Sequence, residues 1–354
     1  MPDNSTTGEI PNNRRLSPLK IIFYAVLFFF VGAFTLVLVL IQNTIGFRNS
    51  LTVASNFISA PRDKVEESGG RANILIMGKA GGEYGGTDLT DTMIVASIAL
   101  SSPSVSLVSI PRDLWIPEIR AKVNSAYYWG KQRDEGGIPF AKVIVEKVIG
   151  TPIHYGIVVD FSSFREIIDA IGGIEVNVER GFTDKLYPIT GRENDLCGGD
   201  LSFGCRYETV TFSPGIQKMN GETALKYVRS RMAEGDEGTD QARELRQQKV
   251  IEAIKNRTLE PEVLLNPKRI IGVFRIVENS VETDIDLPTG AILVRRIWEA
   301  GGSINQYLIP DELLIHPPVG RTYDNQYVLI PRSGNGNWRE ITAWILEGPL
   351  SPGE

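Results

Sequence analysis

Asn73-Ile-Leu-Ile-Met77, Met93-Ile-Val-Ala-Ser-Ile-Ala99 and Val105-Ser-Leu-Val-Ser-Ile110 are three short apolar runs set between glycines, prolines and polar residues. Runs of this length and composition predict strands, the first two buried on both faces and the third alternating. Working outward, residues 140–149 predict a helix, 155–159 a strand, 161–171 a second helix and 174–178 a strand with one wet face. Strands alternating with helices predict an α/β fold with a mixed central β-sheet flanked by helices. Residues 182–212 are polar and carry both cysteines, so an excursion over the surface is expected there. A helix opens at Asn220, a glycine- and acid-rich loop covers 232–239, and a further helix covers 241–257. The remainder predicts helices at 289–300 and 338–346 with short strands at 307–309 and 327–330.

The chemistry concentrates on arginines. Arg229-Ser-Arg231 and Arg243-Glu-Leu-Arg246-Gln247 place four guanidinium groups and an amide within nineteen residues. Guanidinium forks match phosphate oxygens in pairs, so several of them converging describe a phosphate or pyrophosphate clamp. On a helix, Arg243, Arg246 and Gln247 stand at i, i+3 and i+4, which predicts one shared face. Arg112, in Ile110-Pro-Arg-Asp113 just past a strand end, is expected to join them. Asp91 directly precedes a buried strand, where a carboxylate needs a partner or a cation. The glycine-rich stretch from Gly78 to Asp88 follows a predicted strand, but no Gly-Lys-Ser/Thr closes it as in a Walker A loop.

The chain has 354 residues, 42% hydrophobic and 23% charged, with a formal net charge of −6. That composition suits a sizeable core, and the acidic balance argues against nucleic acid as the main partner. Only two histidines occur, so a His-rich zinc enzyme or a Ser-His-Asp hydrolase has little to build on. Residues 21–42 are free of charge and would span roughly 30 Å as a helix, enough for one bilayer crossing. Arg14, Arg15 and Lys20 precede this run, so the expected layout is a cytoplasmic stretch 1–20, a transmembrane signal-anchor 21–42, an extracytoplasmic stalk 43–71 and one large exported domain 72–350. Outside the membrane, Cys197 and Cys205 read most simply as a disulfide, because two cysteines without a nearby histidine supply too few metal ligands.

Taken together, these residues resemble the LytR-CpsA-Psr family of bacterial cell-envelope proteins. The resemblance covers roughly residues 73–255, with the preceding membrane anchor, and rests on blocks in matching order: Asn73-Ile-Leu-Ile-Met-Gly78, Thr90-Asp-Thr-Met93, Val108-Ser-Ile-Pro-Arg-Asp113, Lys122-Val-Asn-Ser-Ala-Tyr127, Val159-Asp-Phe161, Ile171-Gly-Gly-Ile-Glu-Val176, Asn220 to Arg231 and Arg243 to Gln248. It implies an α/β domain on the outer face of the cytoplasmic membrane that holds a polyprenyl pyrophosphate. The implied activity is phosphotransfer of a glycopolymer, a teichoic acid, capsule or similar chain, from that lipid carrier to peptidoglycan. By motif, Arg112, Arg229, Arg231, Arg243 and Gln247, with Arg246 beside them, would bind pyrophosphate. Asp91 would bind Mg²⁺ or Mn²⁺, and Asp113 would serve as organiser or base. One departure stands out: family members usually carry Gly-x-Asp after the first strand, whereas this chain reads Gly78-Lys79-Ala80. Asp88 is the expected substitute carboxylate, with Glu83 or Lys79 as alternatives. Two rival functions use the same clamp, a lipid-binding sensor or regulatory protein without turnover and a lipid pyrophosphatase.

Overall fold

The three quoted runs lie side by side in a six-stranded sheet: β1 (Arg71–Lys79), β2 (Thr90–Ala99) and β3 (Val105–Ser109). We describe a computed structural model covering Thr52 and residues 55–81, 88–264, 266–301 and 304–351. Along the chain follow α1 (Ala126–Gln132), α2 (Gly137–Ile149), β4 (Tyr155–Asp160), α3 (Phe161–Ala170), β5 (Ile174–Val178), β6 (Phe182–Pro188), β7 (Tyr207–Phe212) and β8 (Gly215–Met219). Then come α4 (Gly221–Arg229), α5 (Asp240–Thr258), α6 (Pro267–Ser280), β9 (Val281–Thr283), α7 (Leu287–Glu299), β10 (Ile304–Leu308) and α8 (Arg339–Glu347). The sheet order is β9-β4-β1-β2-β3-β10. β4 and β10 pair in parallel with β1 and β3, and the other pairings are antiparallel, so the sheet is mixed as expected.

Alternation along each strand feeds two apolar layers. Leu75, Met77, Met93, Val95 and Val108 meet Ala141, Ile144, Val145 and Val148 of α2 and Ile341 and Ile345 of α8. Ala72, Ile74, Ile94, Ile98 and Leu107 meet Ile292 and Leu293 of α7 on the other face. β3 departs from the alternating expectation, since all five of its residues are buried. Its serines are satisfied internally: Arg71 Nη2 donates to Ser106 Oγ (3.2 Å) and Gln248 Nε2 to Ser109 Oγ (2.8 Å). Polar residues in a strand therefore did not mark a wet face here.

The predicted segments 1–20 and 21–42 lie outside the described residues. Among the described residues no helix is long and apolar enough to cross a membrane. Part of the expected stalk belongs to the folded unit, which spans Ser55–Glu354. Ala60 and Val65 are buried with the α7 layer, and Glu66 N donates to Tyr155 Oη at 2.8 Å.

A second apolar cluster joins α3, α4 and α5 to β5 through β8, with Ile168, Val176, Phe182, Tyr187, Phe212, Leu225 and Val250 at its centre. β5 alternates buried and exposed residues as its sequence predicts. The excursion 182–212 is more ordered than expected, because β6 and β7 pair as an antiparallel hairpin. Its tip is closed by the Cys197–Cys205 disulfide, with Cα atoms 5.5 Å apart. Helix α4 starts with Asn220 Oδ1 accepting from Thr223 N at 2.8 Å. Beside it, a Cβ on Gly221 would come within 2.3 Å of the Arg165 carbonyl oxygen of α3. We expect Gly221→Ala to destabilise the fold by about 1–3 kcal/mol by forcing α4 off α3, measured as a lower urea midpoint; an unchanged midpoint would show that the contact is not close-packed.

Candidate active site at an arginine cluster

Where α4 ends, the chain turns through Arg229-Ser230-Arg231, and its carbonyls and amides are pinned from opposite sides. Arg246 of α5 reaches back to donate from Nε to the Tyr227 carbonyl (3.0 Å) and from Nη2 to the Ser230 carbonyl (2.7 Å). Asp184, buried on β6, accepts from the amides of Arg231 (3.1 Å) and Met232 (3.2 Å). A helix C-terminus leaves carbonyls without partners, and Arg246 supplies those donors. Held this way, Arg231 is presented to the end of the central sheet.

Asp91, the second residue of β2, is the meeting point. Its Oδ1 accepts from Arg112 Nη1 at 2.8 Å, and its Oδ2 lies 3.0 Å from Arg231 Nη2. Burial pushes the Asp91 carboxyl up, but the charges of Arg231 and Arg112 outweigh it and hold it below the ordinary carboxylate range. Arg112 follows β3 and is steadied from behind by Asp113, whose Oδ2 lies 3.4 Å from Arg112 Nε and whose Oδ1 accepts from Lys122 Nζ at 2.6 Å. Arg243 of α5 completes the group. Burial, then the charge of Arg231, pushes its guanidinium below its usual pKa, while Asp240, with which it ion-pairs, acts against this. Guanidinium groups from the segment after β3, from the α4 turn and from α5 thus converge near Asp91, with Asp113 and Asp240 pairing Arg112 and Arg243 from outside.

Arg243 Nε is buried with no hydrogen-bond acceptor among the described residues, and Arg112 Nε has only the Asp113 carboxylate, 3.4 Å away and outside hydrogen-bond geometry. A buried N–H without an acceptor is costly, and a phosphate oxygen is an acceptor that such a group can take.

The remaining predicted residues are placed differently. Arg229 lies over the ring of Phe161, 4.5 Å from its centroid, and donates to Tyr187 Oη at 3.2 Å. Gln247 is half-buried on α5, one turn from Arg243. Arg246 is a correction: its Nη1 donates to the Glu237 carbonyl (2.8 Å) and carboxylate (2.9 Å) and its other nitrogens hold the α4 turn, so it is a structural brace and not a phosphate ligand. The i, i+3 spacing put it near Arg243 along the helix, but about 60° of helical rotation sends it to the other partner. Asp113 has cations on both oxygens, which suits the organiser role and not that of a base.

The metal expectation does not fit this donor set. Asp88 Oδ1 accepts from Lys79 Nζ and its Oδ2 from Lys131 Nζ, each at 2.9 Å, and the hydrogen bond from Lys131 leads in holding its carboxyl below the usual range. Asp91 likewise has an arginine on each oxygen. A Mg²⁺ or Mn²⁺ at either carboxylate would face a cation already there, and Ala80 stands where a further ligand was expected. Among the described residues, one cluster has metal-like spacing, Asp195 with Cys197 and Cys205, and its two sulfurs are joined as a disulfide. Sequence reasoning gave no role to Lys122, Asp184 or Tyr187; Lys122 alone had a signal, lying in a family-like block. Millimolar Mg²⁺ is expected to leave the melting temperature of the ligand-free protein unchanged; a rise that saturates with Mg²⁺ would show that Asp88 or Asp91 abandons its cations for a metal.

Comparison with known proteins agrees with this architecture. Residues 45–335 match the LytR_cpsA_psr family. Similar curated proteins include the polyisoprenyl-teichoic acid–peptidoglycan teichoic acid transferase TagU of Bacillus licheniformis, 27% identical over 219 residues, and TagU of Oceanobacillus iheyensis, 30% identical over 220 residues. The matched regions span 60% of this chain and 60% of the first relative, and 61% and 59% for the second, so less than two thirds of either relative is covered. Among solved structures, TagV of Bacillus subtilis superposes with a TM-score of 0.54 at 23% identity, covering 79% of this chain and 98% of that one, which shows a common fold. With the family match running from before the sheet to beyond the second core, the chain belongs to the LytR-CpsA-Psr family.

Proposed function

We propose that this chain is a phosphotransferase anchored in the bacterial cytoplasmic membrane, with residues 55–351 at the outer face. It would move a glycopolymer from a polyprenyl-pyrophosphate carrier to peptidoglycan. The observation that carries this reading is the convergence of three guanidinium groups, Arg112 and Arg231 bridged by Asp91 and Arg243 beside them with its Nε buried and acceptor-free. A diphosphate brings many acceptor oxygens and enough negative charge to take over what Asp91 holds in its absence. The TagU relatives, whose names describe transfer of teichoic acid from a polyisoprenyl carrier to peptidoglycan, support the same donor and acceptor classes.

In the proposed reaction an acceptor hydroxyl of the wall attacks the phosphorus attached to the glycopolymer. The new P–O bond forms as the bond to the bridging oxygen breaks, and the polyprenyl monophosphate leaves. Negative charge grows on the bridging and non-bridging oxygens along this path. Arg112, Arg231 and Arg243 come from separate segments fixed by packing, so their donors are oriented before the charge appears, which is the condition for electrostatic catalysis. Asp91 keeps the like-charged side chains together when the site has no anion, and Asp113 with Lys122 fixes the direction of Arg112.

Replacing Arg112 or Arg231 with alanine is expected to lower the transfer rate by roughly 10²–10³ with the fold retained. The assay is incorporation of a radiolabelled glycopolymer from its lipid carrier into peptidoglycan by purified full-length protein. Saturable lipid binding without any product from the unaltered protein would convert the reading to that of a receptor, and phosphate release without a wall acceptor to that of a hydrolase.

A further inference from the structure

The segment between β10 and α8 supplies no arginine to the clamp, yet it is built against it. Its short strands Leu314–Ile315 and Ile330–Pro331 pair antiparallel. Beside that pair, the Leu329 amide donates to the Asp113 carbonyl and the Leu329 carbonyl accepts from the Trp115 amide, each at 2.9 Å. Asp113 Oδ2 in turn lies 3.4 Å from Arg112 Nε. Val328 is fully buried with Trp115 and Ile330, Tyr323 meets Trp115 edge-on with ring centroids 5.6 Å apart, and Arg120 Nη2 donates to Asp324 Oδ1 at 2.8 Å. Two rings stand out from this frame into solvent. Tyr327 is 49% exposed and His316 is exposed, with their centroids 4.1 Å apart and their planes tilted by 32°. His316 Nδ1 lies 3.0 Å from the Val328 carbonyl, which can only accept, so the imidazole is fixed as its donor. Rings already held by a rigid frame have little freedom left to lose when a ligand binds.

We propose that the Tyr327–His316 pair is the acceptor subsite, a stacking platform for an uncharged saccharide of the wall at the border of the arginine clamp. This rests on the phosphotransferase reading above and assigns the place of its acceptor. A pyranose carries C–H groups on its faces and hydroxyls around its rim. The electron-rich face of an aromatic ring takes the C–H groups, and carboxylates beside the ring accept from the hydroxyls. Tyr327 has such neighbours: partial burial first, then the charges of Asp113, Asp240 and Asp311, raise its hydroxyl above the ordinary pKa. Asp113 lies against Arg112 and Asp240 pairs with Arg243, so the ring borders the clamp where those two arginines enter it. Asp240 and Asp311 are exposed and open to a ligand's rim. The acidic border also separates the two substrates, because it repels a diphosphate or an anionic polymer, which the arginines attract, and admits a neutral ring.

The test uses full-length protein in detergent, a synthetic polyprenyl-pyrophosphate disaccharide as donor and a peptidoglycan oligosaccharide as acceptor. Tyr327→Ala is expected to raise the acceptor KM about tenfold, with the donor KM and the kcat at saturating acceptor close to those of the unaltered protein. Tyr327→Phe keeps the ring face and is expected to restore most of the acceptor affinity. His316→Ala, which removes the other ring from a separate strand, is expected to act in the same direction and serves if Tyr327→Ala lowers the melting temperature. An uncharged N-acetylglucosamine tetramer is expected to inhibit competitively against the wall acceptor and not against the lipid donor; competition against the donor alone would move the platform to the donor's saccharide and overturn the assignment. Calorimetric binding of the same tetramer is read without any donor. Transfer by both alanine variants with unchanged acceptor KM and tetramer binding overturns the subsite while leaving the phosphotransferase reading intact. Tetramer binding that depends on Tyr327, in a protein that transfers nothing, removes that reading and with it the acceptor role, and leaves a saccharide-binding surface.

Discussion

The site depends on holding like charges together. Arg112, Arg231 and Arg243 arrive from three segments, and two unit charges of the same sign about 4 Å apart repel by about 4 kcal/mol at an effective dielectric of about 20. Asp91 offsets part of that repulsion by bridging two of them through its separate oxygens. Asp240 pairs with the third, and the guanidinium donors that these carboxylates leave over are the ones proposed to meet an anion.

Around this centre the fold supplies braces that never meet a ligand. Arg246 and Asp184 hold the carbonyls and amides of the turn bearing Arg231, and Asp113 with Lys122 holds Arg112. Each brace is itself charged and buried or half-buried, so the positions around the clamp are as polar as the clamp. Composition alone therefore does not separate the arginine that binds from the arginine that braces. Arg243 and Arg246 make the point: both are almost wholly buried on one helix, yet only Arg246 has its Nε and both Nη groups engaged by carbonyls and a carboxylate.

Much of this was legible in the chain itself. The apolar periods of residues 73–110 and 140–178 depend on local spacing, and they gave the central strands, α2, α3 and the half-wet β5. The Arg-Ser-Arg and Arg-Glu-Leu-Arg-Gln runs pointed to the region, where Arg231 meets Asp91, while Arg229 packs on Phe161 and Arg246 braces the turn. Helix α6 and the ordered β6–β7 hairpin left no clear local signal, since their apolar residues are interleaved with charge and gain a buried face only against α3, α4 and α5. What sequence could not decide was which partner each charged side chain takes. Asp88 goes to two lysines, Asp91 to two arginines and Arg246 to backbone carbonyls. Local spacing sets secondary structure, because it acts within a turn or a strand. Ion pairing is chosen among groups far apart along the chain, and only the packed tertiary structure brings those candidates within reach of one another.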